Sequence, residues 1–282
     1  MSVVVLGASG FLGRHITSAF RASGDEVITV GRSGLMDVVA DPTDIDHLES
    51  VFREFDPSSI INLLGAGLSD PNADARMMER VNARFPAHLA GLLSKIAPQC
   101  HLIHASSSTE TRGADGSYES EYSRTKAEGT SELLSAQGAL PITILRVHNT
   151  YGRDQPTQRF VTSAIDSLIA GRPIELRYPD RVRDFVHVED VASSFVAAAG
   201  RTVDRGVTYE VGTGIGTSLD SVIRMIATIA GVDDPLITGR FVEDRHSRTI
   251  ASPDLLLRPA NIDLFSGLEM TVLERLRRGE GA

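Results

Sequence analysis

Val3-Val4-Val5-Leu6-Gly7-Ala8-Ser9-Gly10-Phe11-Leu12-Gly13 decides the fold. Four apolar residues in a row, closed by a glycine, have the pattern of a strand buried on both faces. Phe11 then opens a helical pattern that runs to Arg21. The glycines between strand and helix permit positive φ and a close approach of the backbone to a ligand. The helix N-terminus offers free N–H groups and a partial positive charge, which suit a pyrophosphate. The spacing is G-x-x-G-x-x-G rather than the G-x-G-x-x-G of the usual dinucleotide fingerprint. Glycines alone make only a tight turn. Their place between the first strand and the first helix makes Gly7, Ser9, Gly10, Phe11, Leu12 and Gly13 the expected cofactor cradle.

The same rhythm continues outward. Buried strands are expected at 27–30, 38–40, 60–64, 101–105 and 142–147, and helices at 45–55, 77–96 and 122–136, with Asp44 as an N-cap. Alternation of this kind means an α/β, doubly wound parallel sheet of the Rossmann type. Beyond Gly152 the rhythm loosens, and helices near 160–170, 188–199 and 218–230 are separated by turn-rich stretches. The expected division is a dinucleotide-binding domain over 1–152 and a small, partly interleaved C-terminal substrate lobe over 153–282. The segment around 183–200 would return to the first domain. A length of 282 residues suits this plan.

Composition removes several classes of function. With 41% hydrophobic and 23% charged residues the chain can bury a core. A net charge of −9 argues against a general nucleic-acid binder, which needs a basic face. It leaves room for a local arginine cluster that holds a phosphate. The one cysteine, Cys100, precedes an apolar strand and reads as a packing residue. No basic leader opens the chain and no apolar run is long enough to span a bilayer, so no membrane partner and a cytoplasmic location are expected. No metal site is assigned.

Candidate chemistry begins at Tyr122-Ser123-Arg124-Thr125-Lys126. Residues four apart on a helix share a face, so the phenol and the ammonium can point into one cleft. Of the 28 lysines and arginines only two are lysines, Lys95 and Lys126. A lysine in a chain that otherwise chooses arginine points to its compact, adjustable amine. His104-Ala105-Ser106-Ser107-Ser108 ends the fifth strand and offers hydroxyls. The second strand ends Ile28-Thr29-Val30-Gly31-Arg32-Ser33. An acidic residue usually holds the free ribose 2′-hydroxyl about 20 residues past the glycines. Here Gly31 stands there, followed by Arg32 and Ser33, which suit a 2′-phosphate. NADP(H) is therefore favoured over NAD(H). Asp41-Pro42 and Leu64-Gly65-Ala66, at later strand ends, complete the expected cofactor contacts.

Taken together, these segments resemble the extended short-chain dehydrogenase/reductase superfamily of nucleotide-sugar epimerases, dehydratases and ketoreductases. The resemblance rests on the glycine turn, Asp41, Asn82, Ser108, Tyr122 with Lys126, and Arg146-Val147-His148-Asn149-Thr150-Tyr151-Gly152. It extends through Arg183-Asp184-Phe185-Val186-His187-Val188-Glu189-Asp190-Val191 and Tyr209-Glu210-Val211-Gly212-Thr213-Gly214. It implies Tyr122 as general acid/base, with Lys126 and the positive nicotinamide ring, when oxidised, lowering its pKa from the usual value of about 10, and Lys126 bonding the nicotinamide ribose. It implies Ser108 as the group that polarises the substrate oxygen, Val147 against the nicotinamide, Asn149 at the substrate, and Arg183 as the diphosphate clamp. Arg245 or Arg248 would add a second clamp. A homodimer through helices 77–96 and 122–136 is also implied.

Two departures bear on the reaction. The acidic residue of NAD-retaining epimerases is replaced by Gly31-Arg32. The Asp-Glu pair of dehydratases is replaced by Thr109-Glu110, with Glu110 expected to be a solvated loop charge. The expected reaction is therefore NADPH-dependent reduction of a nucleotide-linked keto-sugar, such as a dTDP-4-keto-6-deoxyhexose. The alternatives are an NAD-dependent nucleotide-sugar 4-epimerase and, in another class, an NADP-binding redox-sensing or regulatory protein.

Overall fold

The first strand, β1 (Ser2–Leu6), pairs in parallel with β2 (Glu26–Gly31) on one side and β4 (Ser59–Asn62) on the other. Between them come α1 (Phe11–Ala22), a two-residue strand β3 (Val38–Val39) and α2 (Ile45–Phe55). The computed structural model describes residues 1–68, 74–113, 115–136, 138, 140–201, 206–239 and 248–279. The sheet runs β3-β2-β1-β4-β5-β6-β10, with β5 at His101–Ser107, β6 at Ile142–Val147 and β10 at Val207–Val211. Every pairing in it is parallel. Strand order reverses between β1 and β4, so the loops that leave their carboxyl ends diverge and open a crevice, where ligands of this fold class bind.

Both faces of the sheet are covered, which is why the strands read as unbroken apolar runs. Val3, Val5, Ile61, Ile103 and Leu145 pack with Ile16 and Phe20 of α1 and with Val191 and Phe195 of α7 (Val188–Ala199). Val4, Leu6, Ile60, Leu102 and Ile144 face the other way, onto Leu48 and Phe52 of α2, Leu89 and Leu93 of α4 (Phe85–Ile96) and Leu133 of α5 (Glu121–Ala136). Each fully buried aliphatic side chain contributes roughly 1.5–3 kcal/mol before entropy is counted.

The long helix expected over 77–96 is broken. It begins as α3 (Ala75–Met78), widens into a π-helical segment (Glu79–Arg84) and continues as α4. Pro86 has no N–H to donate to the Asn82 carbonyl four residues back, and a widened turn is the response. The Asn82 side chain puts the distortion to use. Its Oδ1 accepts from the Ala66 N–H at 2.9 Å, and its Nδ2 donates to the Ala66 carbonyl at 2.9 Å and to the Thr125 hydroxyl at 3.1 Å. The loop after β4 is thereby tied to α5.

The later part of the chain forms a third apolar cluster. It gathers Tyr151, Val161, Ile165, Phe185, Val222, Ile226, Leu268 and Val272. These come from β7 (Asn149–Tyr151), α6 (Phe160–Ile169), β9 (Val182–His187), α8 (Leu219–Ala230) and α9 (Leu264–Gly279). Strand β9 pairs with β7, with β11 (Gly216–Ser218) and with β13 (Arg248–Thr249), while β8 (Ile174–Glu175) pairs with β12 (Ile237–Thr238). Two buried carboxylates of the Arg183–Val191 motif fasten this part together. Asp184 accepts from the N–H groups of Thr213, Gly214 and Ala251. Asp190 accepts from those of Asn261 and Ile262. Neither α9 nor β10 is among the sequence-based expectations, although the apolar spacing of Leu264, Leu268, Val272 and Leu276 marks the helix.

Helix α5 approaches the π-helical segment so closely that a Cβ at Gly129 would lie 1.9 Å from the Asn82 carbonyl oxygen. Gly129→Ala is expected to force the helices apart, cost about 1–3 kcal/mol and displace Tyr122 and Lys126. Denaturant midpoints and turnover of the variant check this: stability and activity fall together.

Candidate active site

A cavity of about 780 Å³ lies at the carboxyl ends of β1, β4, β5 and β6. One wall is the glycine turn, with Gly7, Gly10, Phe11, Leu12 and Gly13 in the lining. A Cβ at Gly13 would lie 2.2 Å from the Gly7 carbonyl oxygen, so only glycine lets α1 start this close to β1. The turn therefore presents bare backbone and a helix N-terminus, which fit a dinucleotide pyrophosphate. Gly65 and Gly67 line the opposite lip, after β4.

The floor holds the reactive groups. Ser107, Ser108, Tyr122, Lys126, Val147 and Asn149 all line the same cavity. The structure thus brings together the phenol, the amine and the hydroxyls that the sequence singles out. Arg183 lines the far end. Other expected contacts lie outside this lining: Ser9 and Arg32 are exposed, Ser33 and Leu64 are half-buried, Asp41 is exposed and Pro42 and Ala66 are buried. Asp41 spends its carboxylate on the N–H and hydroxyl of Thr43. Arg245 lies outside the described residues. Arg248 sits on β13 opposite Val182, away from the cavity lining.

Electrostatics here follow burial. The Lys126 ammonium is almost fully enclosed and donates to the carbonyls of Ala105 at 3.0 Å and Leu64 at 3.3 Å. Burial pushes it down to about 8, while nearby Glu110 pulls it back. Burial pushes the Tyr122 phenol up to about 12, against the nearby Ser107 hydroxyl and the Arg159 guanidinium, both of which favour the phenolate. The desolvation cost of a phenolate exceeds the help its neighbours give.

Glu110 is a correction. It is 7% exposed, not a solvated loop charge. Its carboxylate accepts from the Thr130 hydroxyl at 2.6 Å and from Arg146 Nε at 2.9 Å, and burial raises its pKa despite both. Cys100 is buried with its thiol pushed up to about 12, in keeping with a packing role.

Several site residues escaped the sequence reading. Ser107, the last residue of β5, lines the cavity with Tyr122 and bonds the Thr109 hydroxyl and N–H, while Ser108 begins the 3₁₀ turn that follows. Arg159 lines the cavity at the start of α6. His148 is buried, with Nε2 3.3 Å from Glu210 and Nδ1 without a partner among the described residues. Arg181 and Glu119 join Arg183: Glu119 Oε1 lies 2.7 Å from Arg181 and 3.3 Å from Arg183. The serine run and the arginines were visible as residue types, but their pairing is set by loops whose course no local pattern fixes.

Comparison with known proteins fits this geometry. Residues 3–212 match the model of the NAD dependent epimerase/dehydratase family. The chain belongs to that family. It is 28% identical to a UDP-glucose 4-epimerase of Mycolicibacterium smegmatis, over 96% of this chain and 97% of that one. It is 24% identical to a dTDP-6-deoxy-L-talose 4-dehydrogenase (NAD(P)(+)) of Kitasatospora kifunensis, over 82% and 79%. A dTDP-L-rhamnose 4-epimerase of Burkholderia thailandensis is 31% identical over 106 residues, which is 36% of this chain and 29% of that protein. Among solved structures, MoeE5 in complex with UDP-glucuronic acid and NAD superposes with a TM-score of 0.84 at 25% identity, covering 99% of this chain and all of that one. The protein is accordingly an NAD(P)-dependent enzyme of the extended short-chain dehydrogenase/reductase type. Among the described residues no helix is long and apolar enough to cross a membrane.

Ser107 and Ser108 can be separated by titration. The Ser107 hydroxyl favours the phenolate, so Ser107→Ala should raise the Tyr122 pKa further and move the alkaline limb of the rate profile upward. Ser108→Ala should leave that limb in place. Tyrosinate absorbance and kcat/KM across pH provide the two readouts.

Proposed function

We propose that the protein is an NADPH-dependent ketoreductase of a nucleotide-linked keto-sugar, a 4-keto-6-deoxyhexose being the expected type. The observation that carries this reading is the cavity that gathers Ser107, Ser108, Tyr122 and Lys126 beside the glycine turn, in a chain whose second strand ends in Gly31-Arg32 rather than in an acidic residue. A ketone gaining hydride needs a proton on its oxygen, and the Tyr122 phenol can give it.

The nicotinamide supplies hydride when the cofactor is bound. The chain's own residues do the rest. Ser107 and Ser108 offer hydroxyls to the carbonyl oxygen, and Ser107 also orients the phenol. Tyr122 gives its proton to that oxygen as negative charge develops. Lys126 ties the loop after β4 to β5 and presents its charge to the nicotinamide ribose. Val147 packs against the ring, Asn149 meets the sugar, and Arg183 with Arg181 takes the diphosphate. Arg32 and Ser33 meet the 2′-phosphate, and Asp41, Pro42, Leu64, Gly65 and Ala66 meet the adenosine half and its linker. Residue 31 has no room for a larger side chain without moving Met36, whose Cγ would lie 3.1 Å from a Cβ there. A cytoplasmic homodimer, paired through α4 and α5, belongs to the same reading.

The second reading, a nucleotide-sugar 4-epimerase, is supported by the relative from Mycolicibacterium smegmatis, which matches over nearly the full length of both chains. The nucleotide carried by the purified protein separates the two. Exchangeable NADPH, consumed on adding a dTDP-4-keto-6-deoxyhexose, is expected. Stoichiometric, tightly held NAD with interconversion of UDP-glucose and UDP-galactose would decide for the epimerase. In either case Tyr122→Phe should lower turnover by about 10²–10⁴-fold while cofactor affinity stays nearly constant.

Arg32→Ala tests the cofactor. It should weaken NADPH binding much more than NADH binding, because only the former carries the extra phosphate. Equal weakening, measured by fluorescence titration, would remove the argument for NADP.

A further inference from the structure

A carboxylate stands behind the cavity wall, where three elements of the site meet. Glu110 closes the 3₁₀ turn Ser108–Glu110 that follows β5. Its Oε1 accepts from the Thr130 hydroxyl of α5 at 2.6 Å, and its Oε2 accepts from Arg146 Nε of β6 at 2.9 Å. Resting on the reading of Ser108, Tyr122 and Lys126 as the reacting set, we propose that Glu110 is a positioning residue. It locks the turn that carries Ser108 onto the helix that carries Tyr122 and Lys126, and it is the buried counter-charge of Lys126.

Three observations carry this. First, the bonds stand in series. A carboxylate only accepts, so Thr130 gives its hydroxyl proton to Glu110 and accepts across its 3.0 Å contact with the Ser106 hydroxyl. Ser106 belongs to β5 and lines the cavity. The order Ser106, Thr130, Glu110 therefore runs from the cavity wall back to the carboxylate. Secondly, the series closes around Lys126. Thr130 stands four residues beyond Lys126 on α5, on the same face, and Ser106 follows Ala105, whose carbonyl accepts from the ammonium. Thirdly, the carboxylate works from behind. Both its oxygens are engaged, its side chain is 4% exposed, and it is not among the described residues that line the cavity. It therefore holds groups that meet the substrate without meeting it.

The charges around the ammonium fit the same role. Burial pushes Lys126 down to about 8, and Glu110 opposes this. The other titratable groups near it do not take that part. His104 of β5 is fully enclosed and burial holds it neutral, the Tyr122 phenol lies at about 12, and Arg159, beside Tyr122, is a cation throughout. Removing the Glu110 charge lets the amine lose its proton at lower pH.

The test follows NADPH affinity by fluorescence from neutral to alkaline pH in the wild type, Lys126→Met, Glu110→Gln, Thr130→Val and Thr130→Ser, with turnover of a dTDP-4-keto-6-deoxyhexose alongside. Glu110→Gln should move the alkaline loss of NADPH affinity about one unit lower. Thr130→Val, which changes no charge, should leave that loss in place and lower kcat about tenfold to 10²-fold, and Thr130→Ser should recover most of it. An unmoved limb in Glu110→Gln would make the residue a mere prop for Arg146 and overturn the proposal. Wild-type turnover in Thr130→Val would do the same. Should Glu110→Gln not fold, the Thr130 pair decides. If Lys126→Met binds NADPH as the wild type does, the reading of Lys126 at the cofactor fails and the proposal with it. If the wild type leaves the keto-sugar unchanged, the reductase reading fails, while the NADPH limb still decides for or against Glu110.

Discussion

A buried ammonium holds this site together. Lys126 is 4% exposed, and its charge is satisfied by the carbonyls of Leu64, in the loop after β4, and of Ala105, within β5. An enclosed cation without such partners would be too costly to keep. The bonds therefore fix where α5 lies against the sheet, and with it where Tyr122 projects. Asn82 does the same from the other side, joining the loop after β4 to Thr125 of α5. Helix and strand ends thus form one unit around the mouth of the cavity.

Local pattern made much of this legible. Apolar runs such as Val3–Leu6 and Ile142–Val147 can only be strands buried on both faces, and the glycine turn between β1 and α1 needs no partner to be recognised. The Tyr122/Lys126 pair follows from helical spacing alone. What could not be read depends on contacts between distant segments. Val207–Val211 looks like any short strand until β6 is there to pair with it. Glu110 looks like a loop acid because its partners, Thr130 and Arg146, are far along the chain. The choice between Ser107 and Ser108 turns on where β5 stops, a matter of one residue that propensity does not resolve. The break at Glu79–Arg84 was in principle visible, since a proline in a helix removes a donor.

The distribution of charge carries the argument from fold to chemistry. The chain is acidic overall, yet the described cavity lining sets Lys126, Arg159, Arg181 and Arg183 against Glu119. Acidic groups elsewhere are spent on structure. Asp184 and Asp190 cap backbone N–H groups, Glu110 holds Arg146, and Glu210 faces His148 and the Ser252 N–H. Carboxylates thereby fasten the C-terminal region from within while the crevice keeps a positive field. A low-dielectric cleft of one sign focuses that field on an anionic ligand. The net charge of −9 and an anionic substrate are therefore compatible: the sum describes the surface, and the sign that matters is the one inside the cavity.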